Sequence, residues 1–252
     1  MTVILRTHGG LGNQLFQILF ARLFASTKQQ TYREIHDARY THNFTRSVEI
    51  EHGGSPALRR QRLISRLRIP KILSRTRLCS TEIIALLGDA YLDGYFQAVS
   101  DYAAFPDALI AQEIARLRLE LGITPRTSAS ETKLYHIRLG DFFNERENAV
   151  DHAISRVAQL DAGSTIITNQ EDIFREARVA GHLDSKGCKL HPTGDFLPED
   201  VIRFMGQFGT IYTNNSTLAL WASILGNCRT TFDDERLSAL HKRLFEAANQ
   251  AP

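Results

Sequence analysis

From residue 134 to residue 248 the chain alternates short β-prone apolar runs with segments of helical periodicity. The runs at 134–139, 164–168, 189–191, 210–213 and 230–232 read as strands. The segments at 149–160, 172–180, 197–208, 216–225 and 234–248 read as helices. That alternation predicts α/β structure with a parallel sheet covered on both faces. The opening repeats the theme: Val3-Ile4-Leu5 is β-prone, a glycine-rich turn follows, and Leu15, Phe16, Ile18, Leu19 and Leu23 recur at helical spacing. Residues 90–97 read as another short strand. Residues 101–121 read as a helix, with Ile110, Ile114, Leu117 and Leu121 on one face. Between 32 and 55 there is no strong periodicity. The stretch 122–132, GITPRTSASET, has linker composition, so the expected domains are 1–128 and 129–252.

Composition excludes several classes. With 252 residues, 43% hydrophobic, 23% charged and a net charge of +2, the chain has enough apolar surface to fold and too little charge to stay disordered. The small charge also argues against a nucleic-acid binder. No run of 18 apolar residues exists to span a membrane, and the opening MTVILRTHGG does not read as a signal peptide. Cys79, Cys188 and Cys228 form neither a zinc spacing nor a disulfide framework. A reducing, cytoplasmic location is therefore expected. No DxD or HExxH pattern is present and no metal site is legible.

Ligands of such sheets bind beyond the carboxyl ends of the strands, so three loops hold the candidate chemistry. The first is GGLGNQ at 9–14. Its glycines let backbone pass close to a ligand, and the following helix offers free N–H groups to an anion. A plain strand-to-helix turn explains it equally well. The second is HIRLGD at 136–141. His136 and Arg138 alternate onto one face, and an Arg beside a His at a strand end suits a diphosphate. An Arg138–Asp141 ion pair is the plainer account. The third is TNNST at 213–217, followed by Leu218 and Trp221. Asn215, Ser216 and Thr217 cap a helix or, beyond that, present hydroxyl and backbone donors to a phosphate. Trp221 reads as core.

In order and spacing these loops resemble the α-1,2-fucosyltransferase family. GGLGNQLFQ at 9–17 is similar to that family's start, and DGYFQ at 93–97 to its GYFQ element. HIRLGD is similar to its HxRxGD signature, and the block at 195–225 to its last motif, which usually reads NSSFSWWA. The resemblance implies a GT-B architecture, two Rossmann-like domains facing a cleft, with the first domain on the acceptor side and the second holding the donor. It implies an inverting, metal-independent transfer of fucose from GDP-fucose to a glycan hydroxyl, the 2-OH of galactose. By the same resemblance Arg138 holds the diphosphate, and His136 contacts the phosphate or fucose. Gly10, Gly12 and Asn13 serve the donor from the first loop, Asn215, Ser216 and Thr217 from the third, and Asp141 is the candidate base. Two departures stand out: Leu139 replaces the family's second Arg, and NSTLALW has fewer aromatics and serines than the family block. A GT-B transferase of another donor, or an inactive sugar-nucleotide or glycan-binding protein, is the alternative.

From 59 to 78 there are eight basic residues and no acidic one. The run reads either as a solvated helical hairpin or as a peripheral contact with anionic membrane, where lipid-linked oligosaccharide acceptors reside.

Overall fold

The structure, a computed structural model, describes residues 2–37, 49–51, 90–92, 94–128, 131–139 and 145–250. The basic run 59–78 and residues 140–144, Asp141 among them, lie outside the described residues. The chain forms two compact units. One comprises residues 1–117 and 242–252, the other residues 118–241.

In the first unit β1 (Thr2–Thr7), β2 (Thr31–Asp37), β3 (Glu49–Glu51) and β4 (Ala90–Leu92) form a parallel sheet in the order β3-β2-β1-β4. β2 falls in the stretch that shows no periodicity. Its alternating side chains, TYREIHD, are all polar but for the tyrosine and isoleucine, so pairing along the whole of β1 makes it a strand where hydropathy gives no signal. The strand expected at 90–97 stops at Leu92.

Helix α1 (Leu11–Thr27) is buried along nearly its whole circumference, Gln14, Gln17 and Arg22 included. An all-round buried helix is the core of its unit. Phe20 stacks on Phe96 at 4.1 Å and meets Phe105 edge-on at 5.7 Å. The helix expected at 101–121 is two, α2 (Val99–Tyr102) and α3 (Asp107–Leu121), because Pro106 cannot continue the first.

In the second unit β5 (Lys133–Ile137), β6 (Thr165–Thr168), β7 (Lys189–Leu190), β8 (Thr210–Thr213) and β9 (Arg229–Phe232) form a parallel sheet in the order β7-β6-β5-β8-β9. This is the doubly wound arrangement, with its switch point between β5 and β8. Helices α4 (Arg146–Ala158), α5 (Glu171–Phe174) and α6 (Ala177–Ser185) follow β5 and β6. Their apolar sides join Ile137, Leu139 and Ile166 in one core. Helices α7 (Pro198–Met205) and α8 (Thr217–Gly226) pack together, and a Cβ on Gly226 would lie 2.7 Å from the Gly206 Cα and carbonyl oxygen. Asn227 ends α8 in the left-handed conformation at φ 55°. The last helix, α9 (Glu235–Asn249), closes the chain. Among the described residues no helix is long and apolar enough to cross a membrane.

Candidate functional site

Beyond the carboxyl end of β5 the chain leaves the sheet between two strands that end alike. β6 and its next residue read TIITN, and β8 and its next residue read TIYTN. Both terminal asparagines reach across to the β5 exit. Asn214 Nδ2 donates to the Arg138 carbonyl at 2.7 Å, and its Oδ1 accepts from the Arg138 N–H at 3.0 Å. Asn169 Oδ1 accepts from the Leu139 N–H at 3.1 Å. The ladder has ended there, so side-chain amides supply the partners that backbone polar groups require. The outcome is an arginine fixed by its own main chain at the switch point of the sheet.

His136 lies two residues before it, 6% exposed, its Nδ1 3.4 Å from Thr213 Oγ1. Burial, reinforced by the Arg138 charge, lowers its pKa to about 4. The imidazole is therefore neutral at pH 7, a hydrogen-bonding group rather than a cation. Ile137 and Leu139 point the other way, into the core beneath α4, and Leu139 is fully buried. The position where the resembled family carries a second Arg is here an interior position.

On the β8 side Ser216 is the N-cap of α8, its Oγ accepting from the Ala219 N–H at 3.3 Å, and it is 1% exposed. Asn215 is exposed and Thr217 half-buried. The first turn of α8 opens beside the Arg138 segment, held there through Asn214. Trp221 is fully buried, as core. On the sheet face beside α4, a cavity of about 240 Å³ is lined by Tyr135, Tyr212, Arg156 and Asp233. Arg156 and Asp233 are ion-paired, and the two tyrosine rings stack at 4.6 Å.

The structure thus gathers His136, Arg138, Asn215, Ser216 and Thr217 in the second unit. Gly10, Gly12 and Asn13 lie in the first unit, at the start of α1. There Gly9 takes φ 80°, a conformation that favours glycine. Gln14 Nε2 donates to the Gly9 carbonyl at 2.8 Å, and Asn13 Oδ1 accepts from Gln97 Nε2 at 2.8 Å. The GGLGNQ and GYFQ elements are therefore neighbours. Asn169 and Asn214 were not among the expected site residues. The repeated T-I-x-T-N ending of two strands was the sequence signal for them. Among the described residues no group of three or more His, Cys, Asp or Glu gathers where it could hold a metal ion.

No protein-family model and no curated protein sequence matches the chain. Solved structures do. A substituted form of Arabidopsis thaliana FUT1 in complex with GDP superposes with a TM-score of 0.52 at 11% identity, over 92% of this chain and 70% of that one. The fucosyltransferase NodZ from Bradyrhizobium gives 0.41 at 14% identity, over 89% and 92% of the two chains. The E. coli heptosyltransferase WaaC with ADP gives 0.40 at 12%, over 98% and 100%. At such identities the likeness is one of fold. The chain has the α/β architecture of two Rossmann-like units that characterises GT-B glycosyltransferases.

Proposed function

We propose that the chain is a glycosyltransferase that transfers fucose from GDP-fucose to a glycan hydroxyl, the 2-OH of galactose, with inversion and without a metal. The observation that carries this reading is Arg138, held through its main chain by Asn214 at the switch point between β5 and β8. The sequence resemblance of the three loops to fucosyltransferases supports the donor, and the FUT1 structure of like fold holds GDP.

As the glycosidic bond breaks, negative charge builds on the departing diphosphate. A permanently charged guanidinium and the N–H groups at the start of α8 are preorganised for that charge. His136, neutral at pH 7, offers one ring N–H to a phosphate or sugar oxygen and does not deliver a proton. Ser216 acts through the helix it caps. Asp141 is the carboxylate the sequence offers as base. The basic run 59–78 would keep the enzyme near anionic lipid, which sedimentation with anionic vesicles at low and high salt tests.

The deciding experiment is calorimetric titration with GDP-fucose in EDTA, with ADP-glucose and UDP-glucose as controls. GDP-fucose alone should bind, and Arg138→Ala should remove that binding. Equal binding of all three would move the reading to a transferase of another donor. Binding without turnover across an acceptor panel would make the chain a sugar-nucleotide-binding protein.

A further inference from the structure

The proposed function places an anion at the first turn of α8. The opposite end of that helix leaves no carbonyl to water. The last four carbonyls of a helix have no partner within it, and in α8 protein groups take all four. The Ser223 carbonyl accepts from the Cys228 N–H at 3.0 Å, and the Gly226 carbonyl from the Arg126 N–H at 3.0 Å. The Ile224 and Leu225 carbonyls accept from one side chain, Arg118, through Nη2 at 2.8 Å and Nε at 3.0 Å. Arg118 stands in the last turn of α3, where the second unit begins.

A guanidinium is a costly group to spend on two carbonyls. Arg118 is half-buried, and that burial lowers its pKa from the ordinary arginine value. Among the described residues no carboxylate pairs with it. Its charge is met only by the negative pole of α8.

The pole is shielded from water, because residues 219 to 226 are all buried. A helix carries roughly half a positive charge at its N-terminus and half a negative one at its C-terminus. A full positive charge on the last carbonyls outweighs the negative pole. An anion at the first turn then faces attraction from both ends. Ten residues of helix span about 15 Å. Across a buried, apolar body of that length a unit charge changes anion binding about five- to tenfold.

We propose that Arg118 is a positioning residue for the sugar donor's diphosphate. It fixes the far end of α8 and lends its charge, along the helix, to the anion at the near end. The assignment rests on the donor reading, which puts a diphosphate there beside Arg138.

The test is calorimetric titration of the full chain with inorganic pyrophosphate, in EDTA at low salt, alongside thermal melting. Arg118→Gln and Arg118→Lys both break the fork on the two carbonyls, and both should melt below wild type by similar amounts. Only Arg118→Gln loses the charge. It should bind pyrophosphate about five- to tenfold more weakly, while Arg118→Lys stays within about twofold of wild type. A role in folding alone would lower both melting temperatures and leave both affinities unchanged. That result, equal weakening in the two variants, or no pyrophosphate binding by the wild type would each overturn the assignment. GDP-fucose titrations of the same samples report the donor reading separately. Pyrophosphate binding that follows the charge of residue 118, with no binding of GDP-fucose, would end that reading and leave this one standing.

Discussion

Replacing Asn214 should expose how Arg138 is positioned. Asn214→Ala deletes a donor to the Arg138 carbonyl and an acceptor from its N–H. A hydrogen bond of this kind is worth about 0.5–1.5 kcal/mol net, so two lost together cost about 1–3 kcal/mol. Partial solvent access places the effect in the lower half of that range. Asn214→Asp keeps the acceptor and loses the donor, and it sets a carboxylate against the Arg138 carbonyl, so it should cost at least as much. The functional effect should be larger than the stability effect suggests. Misplacing a binding group by about 1 Å can cost up to a hundredfold, and donor affinity should fall about ten- to a hundredfold. Amide exchange read at Arg138 and Leu139 should accelerate at Arg138 in Asn214→Ala but not in Asn214→Asp, which keeps the acceptor, and at Leu139 only in Asn169→Ala. Calorimetry with GDP reads affinity on the same samples. An Asn214→Ala protein with fast Arg138 exchange and wild-type GDP affinity would refute the reasoning, because the arginine would then need no fixed main chain.

Other substitutions probe the rest of the frame. Gly226→Ala should destabilise the second unit by about 1–3 kcal/mol through overpacking against Gly206. The gain of about 1 kcal/mol in helix propensity offsets part of this; thermal melting checks it, and a raised midpoint would contradict the contact. Leu139→Arg should cost on the order of 4 kcal/mol, because it drives an unpaired guanidinium into the α4 core; improved donor binding in a stably folded variant would count against that placement. His136 and His241 are both held by burial at about 4, whereas an unfolded histidine titrates near 6.5. The unfolded chain therefore takes up protons first, and stability is complete above about pH 6.5 and falls toward pH 4, by up to about 1.4 kcal/mol per pH unit for each histidine. Urea midpoints across that range should show the slope, and His136→Gln should reduce it.

Much of this arrangement was legible in the chain. The strand at 210–213 and the alternation after residue 134 follow from hydropathy period, and the loops at 9–14 and 136–139 sit at strand ends as expected. β2 was not legible, because its strand character comes from its pairing with β1 and not from its own side chains. The helix at 172–180 proved to be α5 and α6, divided at Arg175 and Glu176. Leu139, where the resembled family carries its second Arg, falls opposite Arg138 by the alternation of β5, and the structure makes that face interior. The two asparagines were hidden because a cap or a turn explains an Asn after a strand just as well in sequence. Only the register of three adjacent strands brings both to one backbone.

The chain has one tryptophan, and it lies fully buried in α8, in the second unit. Its emission therefore follows that unit alone, while far-ultraviolet dichroism sums the helices of both. Recording the two signals through one denaturation curve turns Trp221 into a built-in partial reporter. Coincident curves would mean that the units melt together, and separated curves would time the second unit independently of the rest.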